Sequence, residues 1–134
     1  MLHLAAALAA GSIGAMLFFS AFVAPTAFRA LSAEQAGLFV RALFPTYFLV
    51  NGVVGLVAAA LAFPAFAGAL LFLGGGALVA LRFLVTPAVN AARDASLGGD
   101  AGAKTSFARW RRVSVIVNVA AIVIYAWAGW SALA

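Results

Sequence analysis

Charged side chains are scarce in this sequence, and cysteine is absent. The 134 residues include only 8 Lys or Arg, 3 Asp or Glu and a single His. A soluble domain carries about 25% charged residues, so a chain with 8% could not cover its own surface in water. The lack of cysteine excludes a disulfide framework and thiol chemistry. The scarcity of charge therefore argues against a soluble domain.

The uncharged stretches are long enough to cross a membrane. Residues 1–28, 42–81 and 113–134 contain no Asp, Glu, Lys or Arg. A membrane-spanning helix needs roughly 20 apolar residues, so the outer two stretches supply one span each. The middle stretch supplies two, with a break at Pro64. The sequence therefore predicts one domain, an all-α, up-and-down four-helix transmembrane bundle, with spans at about 3–25, 45–63, 66–87 and 112–132.

The connections between spans also carry signals. Ser32 and Gln35 fit a capping box, and an apolar stripe follows them, which predicts an interfacial amphipathic helix over about 32–44. Pro45 then suits the first turn of the second span. The Ala/Gly/Ser-rich segment at about 90–108 is predicted to be a loop.

The basic residues lie on one side of the predicted bundle. All eight Lys and Arg flank the connections between spans one and two or between spans three and four. The positive-inside rule makes that side cytoplasmic and both termini extracytoplasmic. No basic residue precedes the first span, so it is expected to be a retained helix rather than a cleaved signal. We expect a bacterial inner or plasma membrane location.

Three of the basic residues are collected in the short stretch "FARWRR" (107–112). Arg109, Arg111 and Arg112 are interpreted as the topology signal of the fourth span, with Trp110 as interfacial anchor. Clustered basic residues also attract anionic lipid headgroups. The sequence has no nucleic-acid-binding motif, so the expected partners are the bilayer and its anionic lipids.

Metal or haem chemistry has one weak candidate, His3. No second His and no Cys accompany it, and the three acidic residues lie at the other side of the membrane. A tetrahedral site within one chain cannot be assembled from these residues. No cofactor and no enzymatic activity are expected.

Polar residues within the spans are the remaining candidates for a site. Asn51, Asn118 and Tyr47 lie in the cytoplasmic halves of spans two and four, where they either bind a ligand or cross-link helices. Arg82 lies roughly one turn inside span three, so it either snorkels to the headgroups or binds an anion in a polar cavity. The pattern Asn90, Arg93, Asp94 follows on the same helix.

The two halves of the chain echo one another. Span one ends near Pro25 and span three near Pro87, and each is followed by a Phe-x-Arg and then by an Asn in the next helix. Both hairpins have the same orientation, which indicates two parallel helical-hairpin repeats.

Several segments resemble a known family. "LHLAAALAAGSIGAMLFFSAFVAPTAFRAL" (2–31), "LFPTYF" (43–48), "TPAVNAARDA" (86–95) and "FARWRRVSVIVNV" (107–119) are similar to the transmembrane protein 205-like family, a domain of unknown function. The resemblance implies a small four-span membrane protein. Span one also resembles the first helix of copper-resistance D-type proteins, through His3, Gly14 and Pro25.

Three classes of function fit these observations. The first is a membrane protein without catalytic machinery, acting as an accessory subunit or a self-associating bundle, alone or in a larger complex. The second is a transporter or binder of small amphiphilic or anionic ligands through a polar cavity in the cytoplasmic half. The third is a haem- or copper-linked membrane protein. A closed, apolar bundle interior would favour the first class over the second.

Overall fold

Four long helices make up the protein. The computed structural model describes all residues from 1 to 134 and contains no strand. All four helices are long and apolar enough to cross a membrane, which confirms the predicted fold class. They are α1 Leu2–Ala30, α2 Ala33–Ala62, α3 Phe66–Leu97 and α4 Ala101–Leu133.

The helices form a ring in chain order. Each helix packs against the next, and α4 returns against the first part of α1. We call the end where α1 and α3 finish and α2 and α4 begin the basic end, because every Lys and Arg of the chain lies toward it. The other end, with the turn at residues 63–65 and both termini, is the opposite end.

Small residues allow the helices to approach closely. A Cβ added to Gly75 of α3 would lie 2.8 Å from the carbonyl oxygen of Gly52 on α2. The absence of a side chain therefore lets these two backbones touch, as is common between transmembrane helices. Gly55 similarly leaves room for the hydroxyl of Tyr125, a fully buried side chain of α4. The core around them is rich in alanine.

The helix boundaries differ from the prediction at the basic end. Ser32 and Gln35 do form the predicted capping box, but α2 then runs unbroken through Pro45 to Ala62. The prediction of a separate interfacial helix over 32–44 is therefore wrong. Buried Ala36 and Gly37 explain the difference, because one face of the start of α2 packs against the rest of the bundle.

The predicted loop over 90–108 is also wrong, since only residues 98–100 lie between α3 and α4. The sequence of this segment is polar, but its polar residues are compatible with helix. Asp100 begins α4 by accepting hydrogen bonds from the backbone N–H groups of Gly102 and Ala103, an ordinary N-cap arrangement.

Two π-helical turns interrupt α1 and α3 at matching places. They cover Phe19–Val23 in α1 and Leu81–Val85 in α3, and each is followed by a proline, Pro25 or Pro87. Proline cannot donate the backbone hydrogen bond of a regular helix, and single π turns accommodate such irregularities within α-helices. The matching positions add support to the predicted repeat of two hairpins, which stays a prediction.

Candidate functional site

A cavity of about 600 Å³ lies among all four helices at the basic end. Five phenylalanine side chains form much of its apolar wall, from Phe19 on α1 to Phe107 on α4. Its polar lining consists of Ser20, Arg41, Thr86, Asn90, Arg93, Arg111, Ser114 and Asn118. Small-molecule sites in proteins are apolar clefts of roughly 300–1,000 Å³ with a few convergent polar groups. This basic-end cavity has that size and composition.

Hydrogen bonds link the predicted residues Asn51, Tyr47 and Asn118 into one chain beside the cavity. The hydroxyl of Tyr47 donates to Oδ1 of Asn118 at 2.9 Å, and Nδ2 of Asn51 donates to the carbonyl of Tyr47 at 2.8 Å. The hydroxyl of Ser12 on α1 donates to Oδ1 of Asn51 at 2.7 Å. Asn51 is buried and cross-links α1 and α2, whereas Asn118 is half-buried and lines the cavity.

The predicted pattern Asn90, Arg93 and Asp94 is divided between the cavity and its rim. Asn90 and Arg93 line the cavity, one turn apart on the same face of α3. Arg93 also donates a hydrogen bond of 3.0 Å to the carbonyl of Gly37 on α2. Asp94 accepts two hydrogen bonds from the guanidinium of Arg41, at 2.6 and 3.0 Å. These contacts fasten the beginning of α2 to the end of α3.

Arg82 does not reach the cavity or the other predicted site residues. In a regular α-helix it would share a face with Thr86, which lines the cavity. The π turn over Leu81–Val85 adds a residue to that turn, so Leu81 takes the inward position and its carbonyl accepts the Thr86 hydroxyl at 2.8 Å. The Arg82 guanidinium carbon instead lies 5.1 Å from the ring centre of Phe83, an exposed side chain.

The basic cluster at 107–112 faces in two directions. Phe107, Arg111 and Ser114 of α4 line the cavity. Arg109 and Arg112 lie with Lys104 along a separate outer groove of the same helix. Trp110 is half-buried, and its carbonyl accepts the hydroxyl of Ser114 at 3.2 Å.

Arg111 lacks a charged partner within the protein. The one ion pair of the structure joins Arg41 and Asp94. Arg111 is exposed while lining the cavity, so its guanidinium is free to meet an anion there. His3, the weak metal candidate, is exposed at the opposite end, and no group of three or more His, Cys, Asp or Glu side chains is placed to hold a metal ion.

Sequence reasoning missed Arg41, Gly37 and Ser12 as parts of this region. Arg41 and Asp94 are 53 positions apart and Ser12 and Asn51 are 39 apart, so no local spacing connects them. One signal was present: Asp94 and Arg41 are opposite charges that the predicted topology places at the same membrane boundary.

One comparison with known proteins gives a result. A family model described as a domain of unknown function, DUF4149, matches residues 7–98, which include most of α1 and all of α2 and α3. No curated protein and no solved structure matches the chain. The comparisons thus give no support to the narrower resemblances to the transmembrane protein 205-like family or to copper-resistance proteins.

Proposed function

Because the chain belongs to the family of the domain of unknown function DUF4149, we propose its function from its own geometry. The protein is an integral membrane protein that binds an amphiphilic anion in the basic-end cavity. The role is one of binding or carriage, and no catalytic step is part of it.

The observation that carries this proposal is the pairing of an aromatic cavity wall with unpartnered Arg111. An apolar tail is favoured beside Phe19, Phe44 and Phe48, which line the cavity, because burial there keeps its surface away from water. A carboxylate or phosphate is favoured near Arg111, whose planar guanidinium binds such groups with two parallel hydrogen bonds.

The same observation favours binding over a purely structural role. A closed interior is sufficient for an accessory or self-associating bundle, and the core around the fully buried Tyr125 and Leu71 is of this kind. Toward the basic end the interior is open and partly polar instead. Of the three arginines that line the cavity, Arg41 pairs with Asp94 and Arg93 donates to the carbonyl of Gly37, which leaves Arg111 as the anchor of the ligand.

We also propose that the basic end faces the cytoplasm. All eight Lys and Arg lie toward this end, and cytoplasmic loops of membrane proteins carry such an excess. The cavity is then in the cytoplasmic half of the bundle.

Thermal unfolding of the purified protein in detergent tests the binding function. Oleate should raise the midpoint, because a ligand that binds only the folded state stabilises it, whereas oleyl alcohol of equal chain length should raise it less. A hydrogen bond to a charged group contributes about 1.5–3 kcal/mol, so Arg111→Gln should weaken oleate binding about 10- to 100-fold.

Arg109→Gln is the matched control, since it removes the same charge two residues away on the outer groove. If oleate stabilises the Arg111→Gln and Arg109→Gln variants equally, the cavity is not the binding site.

A further inference from the structure

The basic-end cavity has an open side, and the packing of the helices shows where it lies. The first part of α1, Leu2–Phe18, packs against both α2 and α4. Beyond the π turn, the segment Ala24–Ala30 packs against α2 but has no comparable contact with α4. The helices α1 and α4 therefore part toward the basic end.

The other three pairs of neighbouring helices are bridged or packed together at this end. The α2–α3 seam is held by Arg41 with Asp94 and by Arg93 with the Gly37 carbonyl. The end of α3, Thr86–Leu97, packs closely along α4. The end of α1 lies on α2, where Ala27 is buried. The gap between α1 and α4 is thus the lateral opening of the cavity.

Exposed side chains on both edges of this gap also line the cavity. Phe28 of α1 is 57% exposed, and Val115 and Val119 of α4 are 56% and 52% exposed. Residues that line a cavity and remain this exposed mark its mouth. Their apolar character is suited to hydrocarbon, and in a membrane this side of the ring meets the acyl chains.

Arg111 lies at the outer end of the same edge. Val119 is eight residues further along α4, about 12 Å deeper by helical rise. An anionic headgroup at Arg111 would therefore place an acyl chain along Val115 and Val119, in the direction that lipids already have in a bilayer. The basic residue lies at the boundary and the apolar edge lies in the membrane.

We propose that the ligand of the cavity is an anionic membrane lipid, which enters sideways from the leaflet at the basic end through the gap between α1 and α4. This inference rests on the proposed binding function and adds the source of the ligand to it. A lipid reaches Arg111 from within its own leaflet and packs its acyl chain on the apolar edges of the gap. A water-soluble anion has no acyl chain to pack there.

Photo-crosslinking in vesicles tests this route. The chain has no cysteine, so a thiol-linked photoreactive group can be placed at a single introduced Cys. Val119→Cys reports on the gap, and Val50→Cys of α2 is the matched control, because Val50 is 54% exposed, does not line the cavity and lies at a similar distance from the start of its helix. The vesicles are phosphatidylcholine with a minor fraction of phosphatidylglycerol.

Adducts at Val119→Cys should be enriched in phosphatidylglycerol about fivefold over the bulk. The attraction of one basic residue for anionic lipid, about 1 kcal/mol, corresponds to roughly that ratio. Adducts at Val50→Cys should match the bulk composition. Arg111→Gln should abolish the enrichment and Arg109→Gln should leave it. Equal adduct composition at the two positions, or enrichment that survives Arg111→Gln, would overturn the proposal.

Two further arms separate the route from the source. Ala24→Trp fills the gap and should reduce the enrichment, whereas Ala21→Trp, at an exposed position of α1 outside the cavity lining, should not. Glycerol 3-phosphate in excess should not displace the lipid; displacement would make the site one for free anions. If oleate stabilises the protein through Arg111 while adducts at Val119→Cys show no enrichment, that result would refute lateral lipid entry but not the binding function. If oleate gives no Arg111-dependent stabilisation, the binding function itself is refuted.

Discussion

At the scale of single residues, Asn51 joins three helices. Its side-chain Oδ1 accepts a hydrogen bond from the hydroxyl of Ser12 of α1, and its Nδ2 donates to the backbone carbonyl of Tyr47. Its backbone carbonyl accepts a hydrogen bond from the hydroxyl of Tyr125 of α4. No buried side-chain nitrogen or oxygen in the protein lacks a hydrogen-bond partner. This matters because no water in the bilayer core is available to replace a lost partner.

Asn51→Ala should therefore destabilise the fold by leaving the Ser12 hydroxyl without its acceptor. Interhelical hydrogen bonds in membranes average about 0.6 kcal/mol with a maximum near 1.7, so we expect a loss of about 1 kcal/mol in the free energy of unfolding. Ser12→Ala in the Asn51→Ala background should add little, because their interaction is already gone. Additive losses in a double-mutant cycle, measured by unfolding in detergent, would contradict this coupling.

The residues of the candidate site were only partly predictable. The sequence could single out Asn51, Asn118 and Arg93, because polar groups within or beside apolar spans are conspicuous. It could not separate Arg111 from Arg109, since three basic residues in six positions must face different sides of a helix and only packing decides which side is inward. The sequence left Arg82 open between snorkelling and anion binding, because it does not show the π turn that buries Leu81 in the bundle.

At the scale of the elements, the α2–α3 contact depends on the absence of a Cβ. Gly75→Ala should destabilise the protein by about 1–3 kcal/mol, the usual cost of overpacking, because its methyl group meets the backbone oxygen of Gly52. Gly76→Ala is the control, with nothing within 4 Å of an added Cβ, and should be neutral or stabilising by up to about 1 kcal/mol through helix propensity. Denaturation curves of the two variants make the comparison, and equal losses would refute the close approach.

Helix existence was easier to predict than helix ends. Uncharged runs of this length predict the four spans directly, since a helix of about 20 apolar residues crosses a bilayer and satisfies its backbone hydrogen bonds internally. The segments 32–44 and 90–108 are polar enough to read as surface helix or loop, yet they continue α2, α3 and α4. Their helical state rests on contacts such as Arg93 with Gly37, which join positions distant in the chain.

At the scale of the whole molecule, the ring is tight at the opposite end and open on one side at the basic end. Composition predicts a bundle, but it cannot predict which seam opens. That depends on α1 following α2 rather than α4 after its π turn. The repeat would have predicted equivalent contacts for the ends of α1 and α3. The end of α3 is bonded to α2 through Arg41 and Arg93. The corresponding part of α1 has no such fastening, and this asymmetry gives the cavity its mouth.

The direction of the bundle in the membrane decides which leaflet this mouth meets. A reporter fused after Ala134 should behave as extracytoplasmic, with active alkaline phosphatase and no green fluorescence, and an insertion at Gly99 should behave in the opposite way. The reason is that all eight Lys and Arg lie toward the end of the bundle where Gly99 lies, and an excess of Lys and Arg is typical of cytoplasmic loops. Fluorescence from the Ala134 fusion would reverse the topology, and the lipid proposed for the cavity would then come from the outer leaflet.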